Sequence, residues 1–127
     1  MIKTLLLIGT GGFAGSVSRY LLTKLISTKW PMAFPWGTFG VNILGCFLIG
    51  IVMGLSFQSA MSTQTRLLLA TGFCGGFTTF STYSLEIFEL YQRGEAGISM
   101  LYLFSSIVVG FMSVGLGLWL VKVFYQN

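Results

Sequence analysis

Four apolar runs take up almost the whole chain, and each is long enough to cross a bilayer. A hydrocarbon core about 30 Å thick needs about 20 helical residues to span it. The runs cover residues 4–26, 37–57, 66–91 and 97–124. Inside lipid the backbone must satisfy its own polar groups, so such runs are helical. Composition agrees with this. Apolar residues make up 54% of the chain and charged ones 8%, and mean hydropathy is +0.85; a soluble domain carries about 25% charge. These 127 residues cannot coat a water-facing surface. The expected fold is a single all-α integral membrane domain of four transmembrane helices.

The connectors are short. "STKWPMAFPW" holds both prolines and places Trp30 and Trp36 where interfacial anchors belong. "QSAMSTQT" is polar, and Ser62 or Thr63 is a candidate cap for the third helix. "QRGEAG" joins spans three and four. No small-residue cleavage pattern follows the N-terminal apolar run, so a cleaved signal peptide is not expected. The pI near 9.3 does not signal nucleic acid, because the basic residues punctuate apolar runs instead of forming a patch. The chain has no His and no Asp, and Glu86, Glu89 and Glu95 are its only acids. That composition excludes most metal-hydrolase and triad chemistry, and no enzyme is expected. Cys46 and Cys74 lie in apolar runs and read as small buried hydrophobes. "GTGGFAG" (Gly9 to Gly15) loosely echoes a dinucleotide motif, but it lies inside a span with no strand before it.

Loop charges leave the orientation open. One side of the membrane carries Lys3, Arg66 and Lys122, and the other carries Lys24, Lys29 and Arg93. Three against three gives the positive-inside rule nothing to act on. Either the bias is weak, or the chain inserts both ways up and pairs as an antiparallel homodimer. A chain this small has little interior, so an ion path would run between subunits. There are 17 glycines, and the pairs Gly11/Gly15 and Gly50/Gly54 allow close helix contact.

Polar side chains inside spans mark candidate sites. Arg19, near the end of span one, either snorkels to the interface or lends positive charge to a vestibule. Asn42, early in span two, either cross-links helices or offers an N–H to an anion. Glu86 lies deeper in span three than the loop-proximal Glu89. The longest polar interruption is "GGFTTFSTYS", residues 75–84 of span three. Gly75 and Gly76 weaken the helix there, and the hydroxyls of Thr78, Thr79, Ser81, Thr82 and Ser84 compete for backbone bonds. A break at membrane depth is tolerated where it is buried in protein or lines a cavity. It frees carbonyls that can hold a cation. If the helix resumes, Phe80 and Tyr83 share a face, and their positive edges suit an anion. A Ser/Thr-rich packing segment with two core aromatics is the other reading.

"GGFTTFSTYS", "GTFGVNILG" in span two and the Arg ending "GGFAGSVSR" in span one together resemble the Fluc fluoride-channel family, also called CrcB. The resemblance covers length, span count and motif order. It implies a dual-topology antiparallel homodimer in the bacterial inner membrane that exports fluoride passively through two anion pores. It also implies a structural sodium ion at the dimer interface, held by the backbone carbonyls of Gly75 and Thr78 of both copies. Asn42 and Phe80 match pore positions, with the hydroxyls of Thr79 and Ser81 as further donors. Tyr83 falls where the family usually has a second phenylalanine. Arg19 and Glu86 match vestibule positions, and Tyr102 and Ser106 match the start of a polar track in span four. Partners are a second copy, fluoride, sodium and lipid. A proton-coupled exporter of the small multidrug-resistance type is the alternative, but it needs an acid early in the chain and span one has none. A non-transporting assembly subunit would explain the glycines but not Asn42 with the hydroxyl-rich interruption.

Overall fold

The computed structural model describes residues 1–126, and every regular element in them is helical. Helix α1 runs Ile2–Lys29 and α2 runs Trp36–Phe57. Residues 63–77 form α3, which passes from an α turn, Thr63–Arg66, through a π-helical stretch, Leu67–Cys74, to a last α turn, Gly75–Phe77. Helix α4 runs Phe80–Gln92 and α5 runs Ala96–Gln126. The first, second and last of these are each long and apolar enough to cross a membrane. The third span is bent into α3 and α4. At about 1.5 Å per residue its two pieces together still reach beyond the hydrocarbon thickness.

The helices begin and end within a few residues of the apolar runs. Ser62 caps α3 by accepting a hydrogen bond from Thr65 N–H at 3.1 Å. Trp30 and Trp36 stay partly exposed at the ends of α1 and α2, with Lys29 Nζ 5.5 Å from the Trp30 ring. Glu89, half exposed, pairs loosely with Arg93 across one helical turn at 3.9 Å.

Two glycine seams hold the bundle. A Cβ on Gly11 or Gly15 would run into the backbone of α3 at Leu68 and Phe73. From the other side, a Cβ on Gly76 would lie 2.5 Å from the Gly12 carbonyl, and one on Gly72 2.8 Å from that of Ile8. Backbone therefore lies on backbone between α1 and α3. Along α2 and α5, Gly50 faces Gly117 and Gly54 faces Val121. Both GxxxG pairs are spent inside one chain. Without a hydrophobic drive between helices in lipid, such close packing supplies much of the association. The outer surface is apolar, with Leu5, Phe13, Leu21, Phe104, Phe111 and Met112 all exposed.

The interruption expected within residues 75–84 is present, and it falls at the threonines and not at the glycines. Gly75 and Gly76 do not break the third span. Both are helical, and Gly76 is pinned against α1. The chain becomes extended two residues later, at Thr78 (φ −83°, ψ 157°) and Thr79 (φ −145°, ψ 118°).

Candidate functional site

The break is held by side chains from other elements. Asn42 of α2 donates from Nδ2 to the Thr79 carbonyl at 3.1 Å, and its Oδ1 accepts from Thr79 N–H at 2.8 Å. An extended residue presents its N–H and C=O on the same side, as in an antiparallel ladder. A planar carboxamide, with one donor and one acceptor, can satisfy both. Thr79 Oγ1 in turn caps α4 by accepting from Thr82 N–H at 3.2 Å. Arg19 Nη1 approaches the Thr78 carbonyl at 3.4 Å. Helix cross-linking by Asn42 is thus realised. One of its two amide hydrogens is used, and the other is left over.

Beside the break lies an open cleft of about 460 Å³. Asn42, Gly75, Thr78, Thr79, Phe80, Tyr83 and Ser106 all contribute to its walls. Residues from three spans that are far apart in sequence are therefore brought together. Phe80 is 79% exposed at the mouth, and Gly75 is exposed too. The Phe80 and Tyr83 rings lie 5.8 Å apart at 44°, so the shared face expected of them exists. The Tyr83 hydroxyl donates to the Leu103 carbonyl at 2.8 Å. Its single O–H is thereby committed to α5. Ser106 Oγ is buried and has no hydrogen-bond partner among the described residues.

Four of the candidate residues lie outside the cleft lining. Ser81 is exposed, with only Thr79 Oγ1 near its hydroxyl at 3.4 Å. Arg19 reaches the break from α1. Glu86 and Tyr102 form a separate polar knot: Tyr102 O–H donates to one carboxylate oxygen at 2.8 Å and Thr38 O–H to the other at 2.7 Å. Tyr102 is fully buried, with its ring edge-on to Tyr83 at 5.1 Å and to Phe34 at 5.3 Å. Thr38 was not singled out from the sequence, although it lies four residues before Asn42 on the same helix face. Ser106 lies one turn beyond Tyr102 on α5, which is how one helix serves both the knot and the cleft.

The cation question turns on the carbonyls. Among the described residues no three His, Cys, Asp or Glu side chains gather to hold a metal ion. Neutral oxygens are what the break can offer. In an unbroken helix Thr79 N–H would bond the Gly75 carbonyl; here it bonds Asn42 instead. The Gly75 carbonyl therefore loses its intrahelical donor, while the Thr78 carbonyl receives only the long Arg19 contact. Both residues line the cleft. These are neutral acceptors of the kind that unwound helices can offer a cation, although the Thr78 carbonyl already faces the Arg19 guanidinium.

An apolar helical bundle with a span broken at membrane depth and an open, largely apolar cleft beside the break is a multi-pass membrane protein. Sequence comparison carries this to the family. The profile described as "CrcB-like protein, Camphor Resistance (CrcB)" matches residues 6–118, and the chain belongs to this family. It is 48% identical over 119 residues to a protein of Phocaeicola vulgatus, covering 94% of this chain and 98% of that one. A Chlorobium phaeobacteroides protein is 50% identical over 119 residues, covering 93% and 92%. One from Leptospira interrogans is 43% identical over 123 residues, covering 96% and 97%. All three bear the name "Fluoride-specific ion channel FluC". The family is one of ion channels, not of enzymes.

Proposed function

We propose that the chain is a fluoride-selective channel that lets fluoride leave the bacterial cytoplasm passively across the inner membrane. The name borne by its full-length relatives supports this. The observation that carries it onto these residues is the cleft beside the break, whose walls bring Asn42 of one span together with Thr79, Phe80 and Tyr83 of another.

Fluoride is small and strongly hydrated. A pore must replace its water with donors yet bind weakly enough to release it. The second Asn42 amide hydrogen and the positive ring edges of Phe80 and Tyr83 are donors of graded strength. The break also sets the positive end of α4 beside the cleft, where it favours an anion. Arg19 raises the local anion concentration electrostatically.

The cleft is open along the face that carries Phe80 and Gly75. In this reading a second copy, inserted the other way up, closes it, and the dimer has two pores. The even split of loop charge supports that arrangement. The Gly75 and Thr78 carbonyls of both copies then hold a sodium ion on the dimer axis. The ion supplies charge that ties the two breaks together.

Liposomes holding the purified protein should release fluoride once a potassium ionophore dissipates the charge, and release little chloride. No fluoride signal would end the channel reading. A tag on either terminus should be reached from both sides of the membrane, and a single orientation would reject the antiparallel pair.

A further inference from the structure

We infer that Asn42 is a positioning residue for the cation site, acting through the Thr79 peptide, in addition to its place in the anion cleft. This rests on the reading that Gly75 and Thr78 hold sodium.

The geometry links the two sites through one residue. Thr79 N–H is the donor that an unbroken helix would give to the Gly75 carbonyl. Asn42 Oδ1 takes it at 2.8 Å, and Asn42 Nδ2 holds the Thr79 carbonyl at 3.1 Å. The Thr79 side chain cannot perform this service, because its Oγ1 is engaged with Thr82. Thr78 N–H is already bonded to the Cys74 carbonyl at 3.0 Å. Asn42 alone therefore keeps the Thr79 donor away from Gly75. Without it, the cheapest way to satisfy a buried Thr79 N–H is to rewind the helix by one bond. Rewinding occupies the Gly75 carbonyl and turns the Thr78 carbonyl along the helix axis. Two groups that would face a cation are then withdrawn together.

A consequence follows for side-chain choice at position 42. Oδ1 is the atom that frees Gly75, and Nδ2 is the atom that braces Thr79. Aspartate keeps the first and loses the second, whereas alanine loses both. Cation binding and anion passage therefore separate. Asn42→Asp retains the released Gly75 carbonyl but sets a negative charge in the anion cleft. Asn42→Ala keeps the cleft neutral but lets the break close.

The test is thermal unfolding of the detergent-solubilised full-length protein, titrated with Na⁺ at constant ionic strength against K⁺. Wild type should gain melting temperature with Na⁺ and not with K⁺. Asn42→Ala should need roughly tenfold more Na⁺ for half the gain, the loss of about one well-placed hydrogen bond, or show no gain at all. Asn42→Asp should keep the Na⁺ response while fluoride efflux from liposomes is lost. A merely structural role would lower the melting temperature of Asn42→Ala equally in Na⁺ and K⁺, and that result overturns the inference. Loss of the Na⁺ response in Asn42→Asp also overturns it, and this variant decides the matter if the alanine variant does not fold. A wild type that ignores Na⁺ overturns the sodium reading itself, which distinguishes the two failures.

Discussion

The two halves of the third span are built by opposite means. In α3 the contact with α1 is backbone on backbone: Gly72 and Gly76 against Ile8 and Gly12, with Gly11 and Gly15 returning the approach. There is no side chain to adjust and no room for one. In the break and α4, side chains carry the structure. Asn42 holds Thr79, Thr79 caps α4, Tyr83 bonds the Leu103 carbonyl and Ser99 bonds the Ile87 carbonyl at 2.8 Å. The first half is a rigid wall. The second is a scaffold of separate polar ties, and it leaves an open cleft beside the break. Close packing and a polar pathway cannot share one stretch of helix. The pathway needs open space and spare donors, and the seam permits neither.

This contrast can be attacked from both sides. Gly15→Ala puts a methyl group onto the Phe73 carbonyl and 2.9 Å from Phe77 N, and both are backbone atoms that cannot rotate away. Overpacking of this kind costs about 1–3 kcal/mol or more, so the purified yield of folded protein and its melting temperature should fall sharply. The matching Gly75→Ala change meets nothing closer than 4.0 Å and should leave folding nearly intact. Equal damage from the two would erase the distinction between wall and cleft.

A smaller effect is expected at Ser106. Its hydroxyl supports no fold contact among the described residues, so Ser106→Ala should unfold at the wild-type temperature or slightly above it. Fluoride efflux should change little, since the buried hydroxyl does not reach the cleft, and a severalfold drop would mean that the wall opens to bring it into the path. A clear loss of stability would mean that the hydroxyl belongs to the packing.

The smallest change is expected from Tyr83→Phe. It removes one bond, to the Leu103 carbonyl, at a cost of about 0.5–1.5 kcal/mol. The ring stays. Efflux should remain close to wild type. A collapse of flux would make the hydroxyl itself part of the anion path.

Much of this was legible in the chain. Spans one, two and four follow from run length and hydropathy, because lipid leaves helix as the only form for an isolated apolar run. A cap at Ser62 or Thr63 and the partnership of Phe80 with Tyr83 follow from local spacing, and the structure selects Ser62. Gathering Asn42, Phe80, Tyr83 and Ser106 at one cleft required three helices to be set in register. Thr38 escaped notice because its partner, Glu86, lies 48 residues away.

The location of the break separates what the sequence determines from what the fold decides. Residue propensities make residues 75–84 the weak stretch, with two glycines that lower helix propensity and hydroxyls that compete for backbone bonds, and leave open whether the helix breaks there. The tertiary structure sets the break at Thr78-Thr79. Gly76 is locked into helix by the α1 backbone, where a missing side chain allows close contact, so its low propensity is overridden. Thr79 can leave the helix because Asn42, 37 residues away, replaces both of its backbone bonds. Local sequence sets how much it costs to leave a helix. Only the packed bundle supplies the partner that offsets the cost, and only at the residue where that partner arrives.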